Sequence, residues 1–205
     1  MTKFALASQP DTPAGTQSVE ATGSRVRLDL YSPRSFRRGR SVLSEAVWMV
    51  AQALLLASPV PGSRFRVWLL KLFGARIGRH VTIKPGVRVK FPWRLEIGDH
   101  TWIGEDAWID NLAEIEIGDH CCLSQGVYLC TGNHDWSRPS FDLVVRPIRI
   151  QSQSWLAARS VVGPGVTVRE GAVLGLGSVA LHDLQAWQVH LGSPARPIRP
   201  RVVAA

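Results

Sequence analysis

Between residues 77 and 179 an aliphatic residue returns every six positions, and that beat leaves few folds open. The units read Ile77-Gly-Arg-His-Val-Thr, Ile83-Lys-Pro-Gly-Val-Arg, Ile97-Gly-Asp-His-Thr-Trp and Ile103-Gly-Glu-Asp-Ala-Trp. The beat resumes at Ile117, Leu123 and Leu129, then at Ile150, Leu156, Val162, Val168 and Leu174. A short fixed period dictates a solenoid. Six residues are too few to hold a helix. They suit one short strand and a tight corner, where glycine supplies backbone angles that other residues avoid. Three such sides close one coil of a parallel β-helix. The aliphatic residues then point inward and stack from coil to coil.

The breaks in the beat locate function on this scaffold. It runs 77, 83, 89 and jumps to 97; it runs 97, 103, 109 and jumps to 117; it runs 117, 123, 129 and jumps to 150. With three sides per coil, every extra residue falls at one corner. Two small bulges therefore share an edge with a long insertion, residues 131 to 147. A long loop on a rigid frame is where binding and catalysis are usually carried.

Charge divides the chain unevenly. Residues 1 to 94 hold 16 Lys and Arg against 4 Asp and Glu, and residues 95 to 205 hold 8 against 12. A basic half points to an anionic surface or ligand. No nucleic-acid module is present, so nucleic acid is not expected as a partner. With 45% hydrophobic residues, the 205-residue chain can build a real core. Cys121, Cys122 and Cys130 form no disulfide or zinc pattern, and a reducing compartment fits them. No secretory signal is evident at the start. A cytoplasmic location is the expectation, and a peripheral contact with the inner membrane is compatible with it.

Four segments follow from composition. Residues 1–24 read as a mobile tail rich in Ser, Thr, Pro, Gly and Ala. Residues 25–74 read as a basic arm followed by two helices, over 41–58 and 63–73, with Ser41 or Ser44 as a cap and Pro59 as a stop. The run Ala46 to Ala57 is apolar almost all round, yet too short to span a bilayer. A helical cap on the open end of the solenoid is the leading reading. An interfacial membrane contact is compatible with it. Residues 75–183 hold the β-helix, and residues 184–205 read as an irregular basic tail.

Six histidines fall into groups. His80, His100 and His120 share the fourth place of their units and should stack on one corner, facing solvent rather than holding a metal. His182 and His190 lie near the end, placed for an anionic ligand. His134 stands at the root of the long insertion, between Asn133 and Asp135. Near neutral pH an imidazole is the side chain best suited to take a proton from a hydroxyl.

The hexads with Thr131-Gly-Asn-His134 resemble the hexapeptide-repeat acyltransferases, including the galactoside, maltose and nodulation O-acetyltransferases. Ser35-Phe-Arg-Arg-Gly39, Leu72-Phe-Gly-Ala-Arg-Ile-Gly78, Phe91-Pro-Trp93, Tyr128-Leu-Cys-Thr-Gly-Asn-His-Asp135 and Pro164-Gly-Val-Thr167 are similar to the colanic-acid biosynthesis branch. The resemblance implies an all-β chain: a left-handed parallel β-helix with an N-terminal helical segment and one long catalytic loop. It implies a homotrimer with sites between subunits and no metal. It implies transfer of acetyl from acetyl-CoA to a sugar hydroxyl, the sugar belonging to a lipid-linked or nucleotide-linked exopolysaccharide precursor. His134 would be the general base, with Asp135 or a backbone carbonyl orienting it. Asp110, Asn111, Asn133 and Asp135 would meet the acceptor. Trp155, Ala158, Gly175, Leu176 and Ser178 would line the pantetheine groove, and His182, Arg196 and Arg199 would meet the CoA phosphates. His182 stands where the family carries Lys, and Leu176 where it carries Ala. A small non-polysaccharide acceptor and a catalytically silent scaffold are the alternatives; the basic helical N-terminus and the retained His134 loop speak against them in turn.

Overall fold

A computed structural model describes residues 25–32 and 36–204, so the expected tail over 1–24 lies outside the described residues. The hexads form a parallel β-helix with three faces. The first face stacks Arg76–Ile77, Leu95–Ile97, Ile115–Ile117, Ile148–Ile150 and Thr167–Val168. The second stacks Thr82–Ile83, Trp102–Ile103, Cys122–Leu123, Trp155–Leu156 and Val173–Leu174, and continues into Gln188–Gly192. The third stacks Arg88–Val89, Trp108–Asp110, Tyr128–Cys130, Val161–Val162 and Val179–Ala180.

Register follows the sequence beat. Ile77, Ile97, Ile117, Ile150 and Val168 form one inward ladder. Ile83, Ile103, Leu123, Leu156 and Leu174 form the second, and Val89, Ile109, Leu129, Val162 and Ala180 the third. All are buried. Each large aliphatic side chain so buried stabilises the coil by about 1.5–3 kcal/mol. Cys121 also faces inward, where burial pushes its thiol up to about 11.

Corner chemistry explains the Gly-Asp-His signature. A Cβ on Gly78 would stand 2.3 Å from Asp99 Oδ1, and one on Gly98 would stand 2.2 Å from Asp119 Oδ1. Those carboxylates accept the Arg79 and Asp99 backbone N–H groups of the preceding coil, at 2.7 and 2.6 Å. The N–H and guanidinium of Arg79 hold the Asp99 carboxyl below the usual range. His80, His100 and His120 turn the corner at positive φ, and their exposed rings stack at 4.8 and 4.9 Å.

The helical cap closes the first coil. Helix α1 (Val42–Ala51) is capped by Ser41 Oγ, which accepts from Ser44 N–H, and runs into a wider turn over Gln52–Leu56. Helix α2 (Ser63–Leu72) follows. Trp48 Nε1 donates to Val89 O at 2.9 Å, and Gln52 Oε1 accepts from Val89 N. Ser63 Oγ donates to Ile83 O and accepts from Ile83 N, both at 3.1 Å. The strand edge that would otherwise be open is satisfied by cap side chains. Buried Arg66 ties the turn between the helices by donating to the carbonyls of Leu56, Ser58, Val60 and Gly62.

The far end corrects one expectation. Residues 184–205 are not an irregular tail: Gln188–Gly192 adds to the second face beside Val173–Leu174, and Ala195–Pro200 pairs back on it as an antiparallel edge strand. Prolines are tolerated on such an edge, and Pro197 and Pro200 hid the strand from pattern reading. His190 stacks on Leu174 in the inward ladder instead of meeting an anion. Its Nε2 accepts from Gln185 N–H at 3.2 Å, which leaves the buried Nδ1 without a partner. Burial lowers its affinity for a proton below the ordinary 6.5.

A group with a depressed folded value contributes stability present above its unfolded value and lost as pH falls through the folded one. Amides of Val189 to Gly192 should therefore exchange faster, after correction for intrinsic rates, as pH falls below 6.5. His190→Leu should remove that dependence. Protection of this strand in the wild type that ignores pH would contradict the assignment.

Candidate active site

All register breaks lie where the third face turns to the first. The first is the turn Pro92–Arg94, the second spans residues 111–114, and the third is the long insertion. The insertion is a β-hairpin in which Gly132, Asn133 and His134 pair with Val145, Val144 and Leu143. Its root is locked. The buried Thr131 hydroxyl donates to Asp110 O at 2.9 Å and accepts from Ala113 N at 3.0 Å.

His134 is held by Phe141. Its Nδ1 lies 2.8 Å from Phe141 O, and a carbonyl can only accept, so Nδ1 carries the proton. That leaves the Nε2 lone pair for chemistry. The Phe141 ring stacks on the imidazole with centroids 4.4 Å apart and planes 7° apart. Phe141 does both jobs at φ 51°, a left-handed backbone that costs about 1–2 kcal/mol. Strain of this kind persists where the surroundings over-determine it, often at functional sites.

The N-terminal arm follows the same edge to this loop. Phe36 stacks on Phe91, Trp93 Nε1 donates to Arg38 O at 2.8 Å, and Arg94 donates to Arg37 O. Farther along, Arg27 N–H donates to Pro139 O at 2.8 Å, and the Tyr31 ring meets His134 edge-on with centroids 5.7 Å apart. A groove of about 500 Å³ opens beside His134, lined also by Trp136, Val144, Arg146, Pro164 and Leu181. Tyr31, Phe141 and Arg146 escaped the sequence reading. Arg146 had a signal, a cation where the insertion returns to the coil; Tyr31 and Phe141 had none in the hexad pattern.

The expected acceptor residues divide. Asn133 and Asp135 line the groove. Asp135 does not orient the imidazole: its carboxylate accepts from the Ser137 N–H and hydroxyl and pairs with Arg138, and the Ser137 contacts hold it below the usual range. Asp110 accepts from the Tyr128 hydroxyl at 3.2 Å, and burial pushes that phenol up. Asn111 is fully buried, with Oδ1 accepting from Phe91 N and Nδ2 donating to the carbonyls of Phe91 and Arg94. It clamps the first bulge and has no group free for an acceptor.

Of the expected cofactor residues, Trp155, Ala158, Gly175, Leu176 and Ser178 gather at the other end of the third face, toward the second, whereas His182 follows Val179–Ala180 into the turn to the first face. Trp155 is half exposed and donates to Ser124 Oγ at 3.0 Å. Ala158 O accepts from Gly177 N, and the Leu176 side chain stands open. Gly175 and Ser178 differ from expectation. Gly175 N donates to His190 O and its carbonyl accepts from Ser178 N, while Leu191 covers its Cα. Buried Ser178 Oγ accepts from Gly192 N. Both secure the last coil. His182, Arg196 and Arg199 are exposed, the two arginines on the edge strand. Among the described residues no cluster of His, Cys, Asp and Glu is arranged to hold a metal ion.

No protein-family model matches the chain. WcaF of Escherichia coli, described as a colanic acid biosynthesis acetyltransferase, is 42% identical over 170 residues, which cover 83% of this chain and 93% of the relative. The chain belongs to the hexapeptide-repeat acetyltransferase family. The galactoside O-acetyltransferase of E. coli is 28% identical over 134 residues, covering 64% of this chain and 66% of the relative. Among solved structures, a hexapeptide-repeat acetyltransferase from Vibrio cholerae in complex with acetyl coenzyme A aligns with a TM-score of 0.69 at 26% identity, covering 79% of this chain and 91% of that one.

If Asn111 is a clamp, Asn111→Ala strands buried backbone groups at about 1–3 kcal/mol. The melting temperature should fall by several degrees, measured by differential scanning calorimetry, with the acceptor KM unchanged. A raised KM without a stability loss would return Asn111 to the acceptor site.

Proposed function

We propose that this protein is an O-acetyltransferase that moves acetyl from acetyl-CoA to a hydroxyl of a sugar in an exopolysaccharide precursor. The observation that carries the reading is the His134–Phe141 pair, which leaves Nε2 basic and turned away from the carbonyl that fixes the ring. A sugar hydroxyl does not ionise near neutral pH. Proton removal by Nε2 as the oxygen attacks the thioester carbonyl lowers the barrier. The C–S bond then breaks, and the proton held by His134 passes to the departing thiolate of CoA. The acetyl ester stays on the sugar.

The relatives support both substrates: one bears a colanic acid name and another is a structure with acetyl coenzyme A. The half-exposed Trp155, the open Leu176 side chain and the exposed Arg196 and Arg199 suit an apolar pantetheine arm ending in phosphates. They stand one face away from His134, which suits a homotrimer in which a second copy closes the groove. Arg146 shares the groove with His134 and suits an acceptor that carries phosphate, as a lipid-linked or nucleotide-linked sugar does.

His134→Ala should lower kcat about 10²- to 10⁴-fold, the usual range for a positioned acid–base group. Acetyl-CoA affinity by calorimetry should hold, because Thr131 roots the loop independently of the ring. Turnover near the wild-type rate, with saturating acetyl-CoA, would reject the mechanism. Mass spectrometry of the exopolysaccharide with and without the gene would locate the missing acetyl group.

A further inference from the structure

The cap does more than close the coil. Of the fifteen residues from Val42 to Leu56, only Trp48 and Leu56 are buried. Val42, Leu43, Val47, Met49, Val50, Leu54 and Leu55 are exposed, Leu43 at 74% and Leu54 at 69%. A helix apolar all round is normally covered on all sides. One shallow apolar depression runs along Val47, Val50 and Leu54. A second joins Leu43 and Val47 to Leu72, with Arg40 at its margin. Trp68 and Leu72 add apolar surface from α2, both more than 60% exposed. A patch of this kind marks an interaction surface rather than scattered exposure.

Charge names the occupant. Residues 25–74 carry nine Lys and Arg against Asp29 and Glu45. Asp29 is engaged by Arg27, and Glu45 is largely covered and paired with Arg38. Arg37, Arg40, Arg64 and Lys71 are exposed on the cap and the adjoining arm. A second copy of this chain would bring like charge against like charge. An anionic bilayer satisfies both features, its acyl boundary taking the apolar face and its headgroups the arginines and lysine. No described helix is long and apolar enough to cross a membrane, so the contact is interfacial.

We propose that the exposed face of α1 and its wider final turn, with Trp68 and Leu72 of α2, docks on an anionic lipid surface. The enzyme then works as a peripheral protein at the bilayer. Such a surface matches an acceptor carried on a lipid, and that link alone rests on the acetyl-transfer reading.

Vesicle flotation tests the proposal without acetyl-CoA or acceptor, so its failure leaves that reading standing. The full chain should float with phosphatidylcholine vesicles containing phosphatidylglycerol at low salt. It should float less with rising salt and fail to float with phosphatidylcholine alone. Val50→Glu combined with Leu54→Glu should abolish flotation while light scattering shows an unchanged assembly mass. Arg64→Gln combined with Lys71→Gln, which leaves the packed side chains in place, should weaken flotation and flatten its salt dependence. Absence of the wild-type chain from anionic vesicles at low salt would overturn the proposal. So would flotation indifferent to both pairs of substitutions, or a fall in assembly mass with the glutamates, which would make this face a contact between copies.

Discussion

Everything here depends on one stacking constraint: each coil must present its aliphatic residues in register with the coils above and below. Strands of two or three residues have no stability of their own. They persist because Ile77, Ile97, Ile117, Ile150 and Val168 align on one face, and the other two ladders align likewise. The backbone hydrogen bonds run between coils, so an insertion inside a strand would break a ladder. Insertions at a corner cost nothing in register. The chain uses only the corner from the third face to the first, and the His134 loop, both bulges and the N-terminal arm lie along it.

The same constraint makes the ends expensive, because the last coils have exposed edges. The first is closed by cap side chains that pair the backbone groups of Ile83 and Val89. The last is closed by a hairpin whose inward residue is a histidine, His190, rather than an aliphatic. The cap covers the coil with Trp48 and Leu56 and with Leu69 and Leu70 of α2, while α1 and its wider final turn point most of their other apolar side chains outward. The candidate site then sits on a rigid edge. His134 hangs from a hairpin rooted by Thr131, and Phe141 fixes its tautomer and its plane.

Much of this was legible in the sequence, for physical reasons. A period of six with breaks at 97, 117 and 150 dictates three faces and one privileged corner, and the coils follow it strand by strand. The cap helices follow from Ser41, the apolar run and Pro59. What escaped depends on distance through space. Asn111 reads as a polar candidate in sequence, but its amide is consumed by Phe91 and Arg94 across a coil. Gly175 and Ser178 read as groove residues until the final hairpin, disguised by its prolines, covers them. Phe141 reads as one more loop residue, because neither its positive φ nor its carbonyl's partner is encoded in a local pattern. Tyr31 meets His134 from a segment 103 positions away, which no periodicity reports.

Phe141 holds His134 with the proton on Nδ1 and the lone pair on Nε2. Long-range 15N–1H correlation spectra of the imidazole nitrogens read this directly, with His134→Ala identifying the signals among the six histidines. In its neutral form His134 should show the Nδ1–H tautomer, with Nδ1 shifted by a strong hydrogen bond. A neutral His134 that carries its proton on Nε2 would contradict the account, because its unprotonated Nδ1 would then face the Phe141 carbonyl oxygen.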